Sequence, residues 1–233
     1  MKVDEPRFKV AAARRMLAAN GCESQVAGHV SMRAEGEDAF WITPFEYFDE
    51  TTPDRVIKID FKGKLLEGTW EPSPAVVFHA AFYKARPDVG SVIHTHSHWH
   101  MVFSTTTRIV EQYNAASVLF LDEQVLYEDD GIRPAVHWPT MAAMLGDRSV
   151  IHIKNHGAIV VNATLEYCTI MAIMLEKCSQ YQIECEVIGG KPMADLEAIR
   201  SKVDYHKYFL PNMWEANFRR LRKSDPDLFE WLD

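Results

Sequence analysis

Histidine binds first-row metals through a neutral ring nitrogen, and one stretch is dense in it. His94-Thr95-His96-Ser97-His98-Trp99-His100 places four imidazoles in seven residues. The segment Ser91–His96 is β-branched and apolar and reads as a strand. Residues i and i+2 of a strand point to one face, so His94 and His96 present their rings side by side. His156, in Lys-Asn-His-Gly, falls where the chain turns between two further strands, and Gly157 permits that turn. Three neutral imidazoles on one divalent ion leave coordination positions open, as catalysis requires. They also leave the ion's charge uncompensated, which makes it a Lewis acid for an anionic, chelating substrate. A low-specificity metal-binding patch is the competing reading of so many histidines. His98 and His100 share the parity of His94, but a helix starting at Ser97 would carry them away from the ion. His98 is then a candidate for the substrate side, with plain packing as its alternative. His79, inside a helical pattern, and His152, alternating with apolar neighbours, read as structural, and His137 and His206 have no context that raises them.

The elements that must position these residues are legible in outline. Phe8–Asn20 reads as a helix rich in Ala, Leu, Met and Arg, closed by Gly21. HVSMR and AFWIT alternate like two strands around EGED, and VIKID and LLEG like a second hairpin. Ser73-Pro74 supplies an N-cap and first-turn proline for a helix running to Ala85. Residues 107–140 read as irregular, with possible strands near Val118–Leu121. SVIHIKN and AIVVN flank the His156 turn, and Thr164–Ile188 reads as a long helix closed by Gly189-Gly190. From about residue 194 a helical tail carries Trp214, Phe218, Phe229 and Trp231, which predicts docking on the body or on a neighbouring subunit. Mixed strands and helices with several hairpins predict one α/β domain over residues 1–233, an α/β/α sandwich around a largely antiparallel central sheet. No GxGxxG and no GxxxxGK[ST] occurs, so nucleotide binding has no support.

The totals fit this picture. The chain has 233 residues, 47% of them hydrophobic, and a formal net charge of −8. That charge, without a Lys/Arg block, argues against nucleic acid as a partner, whereas a metal or a few local cations still suit a small anionic substrate. Cys22, Cys168, Cys178 and Cys185 form no CxxC pair and read as free thiols in a reducing compartment. The start MKVDEPRFKV lacks an apolar leader segment, and no apolar run approaches membrane-spanning length. The expectation is a cytoplasmic protein without membrane contact.

The order of motifs carries more. GHVSMR is followed by WITP, then EPSPAVVFHAAFYKARPDVGSVIHTHS, then IKNHGAIVVNATLEYC and a long helix with LEKCSQ. This resembles the class II aldolase/adducin family over about residues 8–190. The resemblance implies an α/β/α fold, a homotetramer with active sites at subunit interfaces, and His94, His96 and His156 as metal ligands. It implies one divalent ion per subunit, with Mn²⁺ favoured and Zn²⁺, Co²⁺ or Fe²⁺ as alternatives. The family's sugar-phosphate aldolases carry an acid/base carboxylate four residues before the His of the "FH" helix; here that residue is Ala75. Their phosphate-binding slots hold His29, Phe45-Glu46 and Ser73-Pro74 in this chain. Phe45 is apolar and Glu46 would repel a phosphate. Adducin-like members lose the metal ligands as well, and this chain keeps them.

A metal without the aldol base or the phosphate grip suits decarboxylation, which needs an electron sink and a proton donor. The family includes decarboxylases of hydroxylated aromatic and pyridine dicarboxylates, and this chain is most similar to that branch. Such a substrate would suit Phe45 and nearby Trp41 and Trp70, with core packing favoured for Trp41. His29 is the first candidate for the proton donor, since imidazole titrates near neutrality; its alternative is a hydrogen bond to a substrate carboxylate. Ser73 could bind that carboxylate, and Arg33 and Arg108 are possible clamps, with structural pairing to a core acid as the equal alternative for Arg33. A carboxylate from Glu71 or Glu46 in place of the missing one would revive an aldolase or dehydratase on an unusual substrate. An Fe(II) oxygenase of the same fold is a third reading.

Overall fold

The computed structural model describes residues 1–128 and 134–232, and side chains throughout them except at 134–137 and 195–199. Eight strands form one sheet: β1 (His29–Arg33), β2 (Ala39–Ile42), β3 (Ile57–Asp60), β4 (Leu65–Glu67), β5 (Ser91–Thr95), β6 (Gln124–Tyr127), β7 (Val150–Ile153) and β8 (Gly157–Asn162). Their order is β4-β3-β2-β1-β5-β8-β7-β6. The β6–β7 pair is parallel and the others are antiparallel. This is the largely antiparallel α/β arrangement that the hairpin pattern predicts.

Strand alternation divides the core. Phe40, Ile42, Val92, Ile151 and Ile159 face helices α2 (Val77–Ala85) and α4 (Pro134–Leu145). Val30, Ile93, Val150 and Val160 belong to the opposite layer with α1 (Pro6–Ala19) and α5 (Leu165–Val187). Each fully buried Phe, Leu or Ile contributes roughly 1.5–3 kcal/mol, so both layers are held mainly by apolar burial. The helix-end signals behave as read. Gly21 and Gly189 take positive φ after α1 and α5, and the Thr164 hydroxyl accepts from Tyr167 N at 3.3 Å at the start of α5.

Two expectations are corrected between residues 107 and 145. Ser117–Phe120 is a 3₁₀ turn, and the strand comes later, at β6. Pro134–Leu145 is helical despite Pro139 inside it, because Met141, Ala142 and Leu145 are buried in the α2/α4 layer. The side chain of His137 lies outside the described residues. α3 (His98–Ser104) starts as Ser97 predicts, but a distant carboxylate caps it. Glu176 on α5 accepts from Trp99 N and His100 N, both at 2.8 Å.

The tail forms α6 (Asp195–Asp204), a π-helical turn (Tyr205–Phe209), α7 (Leu210–Ser224) and α8 (Pro226–Phe229). Phe218 and Phe229 meet Phe8 of α1 edge-on at 6.3 and 5.6 Å, so the aromatic tail docks on the body of its own chain. Cys22, Cys168 and Cys178 are buried free thiols and Cys185 is half-buried. Among the described residues no helix is long and apolar enough to cross a membrane.

Candidate metal centre

β5 delivers His94, His96 follows directly past its end, and His156 precedes β8, its antiparallel neighbour. One ring nitrogen from each of the three lies within 4.8 Å of the others. The ring centroids are 4.5 Å apart for His94–His96, 5.3 Å for His94–His156 and 4.9 Å for His96–His156. Two backbone contacts fix this geometry. At Gly157, which has φ +154°, a Cβ would run into the carbonyl oxygen of Thr95. The His96 amide donates to Ser24 Oγ at 2.8 Å.

The donor chemistry fits a divalent ion. His94 Nδ1 lies 2.8 Å from the carbonyl of Ala158, and a carbonyl can only accept. Nδ1 therefore carries the proton, and Nε2 keeps its lone pair for a metal. Burial holds His94 well below the ordinary imidazole range, with His96 and His156 adding to the effect. Burial likewise lowers His96 to about 4. Neutral imidazole is the ligating form. A bound ion would supply Lewis-acid stabilisation of negative charge on a substrate oxygen.

His29 is paired with His94 across β1 and β5. It is 1% exposed, and neither ring nitrogen has a partner among the described residues. Burial, then Arg14, then His96 lower its pKa to about 3. The expectation that His29 titrates near neutrality is thus corrected. It is a neutral imidazole with one N–H to donate. The Phe45 ring lies 6.1 Å from it and is half exposed. On the other side His79 stands 5.7 Å away, its Nδ1 hydrogen-bonded to Ser31 Oγ at 2.7 Å and its Nε2 buried without a partner. A buried polar atom without a partner costs about 1–3 kcal/mol, and three ring nitrogens of His29 and His79 stand buried in that state.

The other predicted residues divide. Ser73 is buried, and its hydroxyl accepts from Ala75 N at 3.2 Å. His98 lines the same cavity as His96 and His156. Arg33 is corrected. Its guanidinium donates to the carbonyls of Val89, Tyr83 and Arg86 at 2.8, 2.7 and 3.0 Å, at the far end of β1 from His29. Arg108 is also corrected, as it pairs with Glu111 and Glu186. Glu46 is buried against Arg55 at 3.0 Å, and burial raises its carboxyl above the usual range. Glu71 is exposed and not among the cavity's lining residues. Trp41 lies beneath Arg7 and Lys58 at 5.4 and 5.3 Å and packs against the core. Arg55 stacks on Trp70 at 4.8 Å.

Sequence reasoning missed two features. Arg14 is a fully buried cation whose guanidinium donates to Thr51 Oγ1, Gly28 O and Glu46 O. Burial lowers it to about 10, so it stays charged at neutral pH. The Arg14-Arg15 pair amid Ala and Leu on α1 was the available signal. The second feature is a cavity of about 510 Å³ lined by His96, His156, His98, Glu23, Ser24, Gln25 and Asn155. Gln25 and Asn155 both have left-handed φ, 51° and 57°, a conformation that costs a non-glycine residue about 1 kcal/mol or more. Neither residue belongs to a periodic pattern.

The fold has known counterparts. The family model for the class II aldolase and adducin N-terminal domain matches residues 8–183. The chain belongs to this family. Its fold is similar to a solved L-fuculose 1-phosphate aldolase from Glaciozyma antarctica, with TM-score 0.84 and 25% identity over 94% of this chain and 90% of that one. Among curated relatives, a 4-hydroxy-3-prenylphenylpyruvate oxygenase/4-hydroxy-3-prenylbenzoate synthase of Streptomyces roseochromogenus is 27% identical over 83% of this chain and 73% of its own. Decarboxylase NovR of Streptomyces niveus is 28% identical over 80% and 71%.

Proposed function

We propose that the protein is a divalent-metal-dependent lyase that removes CO₂ from a hydroxylated aromatic or pyridine carboxylate. The observation that carries this reading is the pairing of a three-histidine ligand set with a buried, unpartnered His29 where the resemblance places a phosphate ligand. A phosphate dianion needs several donors at that end. Phe45 offers none, and Glu46 offers a carboxylate already engaged by Arg55. A planar carboxylate needs fewer donors, and His29 supplies one N–H beside the positive charge of Arg14. The Phe45 ring offers an apolar wall to an aromatic substrate. Similarity to a relative named as a decarboxylase agrees with this reading.

His94, His96 and His156 hold the ion in this proposal, with Mn²⁺ favoured, and the assembly is a homotetramer in the cytoplasm. Similarity to a relative named as an oxygenase motivates a second reading, an Fe(II) enzyme using the same ligands. The test is a screen of hydroxy-aromatic carboxylates, 3-hydroxy-2-methylpyridine-4,5-dicarboxylate among them, for anaerobic CO₂ release with added Mn²⁺. Cleavage of a sugar phosphate without any CO₂ release would overturn the proposal. Substrate conversion that needs Fe²⁺ and O₂ would establish the second reading.

A further inference from the structure

A substrate that chelates a metal through a hydroxyl and an adjacent carboxylate must lose the hydroxyl proton to bind tightly, and the carbon that loses CO₂ must gain one. Both steps need a proton carrier in the metal's own cavity. Most carboxylates near the centre are engaged elsewhere. Glu46 faces Arg55, Glu176 caps α3 with both oxygens, and Glu71 is not among the residues lining the cavity. One carboxylate does line it with His96 and His156, and that is Glu23.

Glu23 is also fastened to the ligand frame. Its Oε1 accepts from Ser24 N at 2.9 Å, and Ser24 Oγ in turn accepts from His96 N at 2.8 Å. The next residue, Gln25, holds a left-handed φ of 51°, so the backbone beside this carboxylate is bent at some cost. Such bends persist where the surroundings demand them, and they cluster at active sites. Among the described residues no Lys or Arg lies within ion-pair distance of Glu23, in contrast to Glu46, Glu67 and Glu186. The other titratable groups lining the cavity are His96, His98 and His156.

We propose that Glu23 is the proton carrier of this site, a role that rests on the hydroxy-acid reading above. The Glu23 carboxylate takes the proton from the substrate hydroxyl as that oxygen is bound. The carbon–carboxylate bond breaks and CO₂ leaves as that carbon is protonated, so the bond's electron pair restores the aromatic ring. Glu23 returns the proton to that carbon. The bound hydroxy carboxylate becomes CO₂ and the decarboxylated phenolate, which takes one proton from water as it leaves; Glu23 ends as the carboxylate it began as, and no oxidant or reductant is needed.

The experiment counts protons without turnover. Manganese-loaded wild-type protein and the Glu23→Gln and His98→Gln variants are titrated calorimetrically with salicylate in two buffers of different ionisation enthalpy. In wild type the hydroxyl proton stays in the site, and the two buffers give the same heat. In Glu23→Gln about one proton per site goes to the buffer, while the manganese content is unchanged and salicylate Kd shifts by less than tenfold. With a turned-over substrate, kcat of Glu23→Gln falls at least 100-fold, and Glu23→Asp recovers part of it. Salicylate binding with equal proton counts in wild type and Glu23→Gln overturns the role of Glu23 alone. Proton release from His98→Gln instead assigns the role to His98 and overturns the proposal. Loss of manganese in Glu23→Gln would make Glu23 a ligand and overturn it too. If salicylate binds none of the three proteins, the hydroxy-acid reading fails and this proposal fails with it.

Discussion

His29 stands directly across from His94 in the pairing of β1 with β5. Side chains at directly opposed positions share a face, so a buried imidazole with two unpartnered nitrogens sits beside a proposed metal ligand. The sheet sets this relationship: His94 is paired on both sides, with β1 and with β8, and His29 is paired with β5. The proposed site therefore rests on adjoining central strands of the sheet.

Removing a ligand should remove the ion and leave the fold. His94→Ala is expected to lower bound manganese from about one per chain to less than a tenth of that, with the far-UV spectrum retained. Elemental analysis of the purified protein checks this, and full metal occupancy in the variant would refute the ligand assignment.

Gly157→Ala should be costly in both stability and metal affinity. Its Cβ would collide with the carbonyl oxygen of Thr95, and the backbone there has φ +154°. Strain of this kind costs about 1–3 kcal/mol, so the denaturation midpoint should drop by several degrees. Manganese affinity should fall with it, because the displaced turn carries His156. A variant as stable as wild type would show that β5 and β8 can separate freely.

Arg33→Met separates structure from catalysis. Three carbonyls lose their donor, at about 1–3 kcal/mol for the group. Stability should therefore decline while kcat/KM of the folded fraction stays within about twofold. A selective rise in KM would restore Arg33 as a substrate clamp.

Acid should destabilise the protein through its buried imidazoles. His100 donates to or accepts from Ser179 Oγ at 2.9 Å, and His152 is hydrogen-bonded to Gln124 Oε1 at 2.8 Å. Their rings are 5.0 Å apart in the layer under α5. Burial lowers His100 from 6.5 to about 4 and holds His152 well below 6.5. Above pH 6.5 both states are neutral and nothing is lost. As pH falls from 6.5 towards 4, the unfolded chain binds protons that the folded chain refuses, so stability falls. Below about 4 the His100 contribution is constant, at about 3 kcal/mol. Melting temperatures measured from pH 7.5 to 4.5 should decline below 6.5, and His100→Gln should flatten part of that slope. A curve with no slope across this window would contradict the buried neutral pair.

Local patterns carried much of this structure in the sequence. The β1–β2 hairpin, the β5 strand, the Gly21 and Gly189 helix ends and the His94/His96 pair all follow from residues within a few positions of each other, and His156 stands out by its turn with Gly157. The misses are non-local. β6 pairs in parallel with β7 across more than twenty residues, and no turn signal announces such a pair. α4 contains Pro139, which local rules read as a break, yet burial against α2 outweighs it. Arg14 and Glu23 lie on or after α1 and acquire their settings only when Gly28, Thr51 and His96 arrive from elsewhere.

The clamp between β5 and β8 has a consequence for ancestry. At one end Gly157 presses on Thr95, and at the other a Cβ on Gly90 would strike the carbonyl oxygen of Ala163. Main chain touches main chain at both ends, so the spacing of the histidines owes little to the side chains around them. Neighbouring positions such as Ala75, Phe45 and Glu46 could then drift without unseating the ion, and a lineage could exchange one substrate for another while inheriting its reactive centre intact.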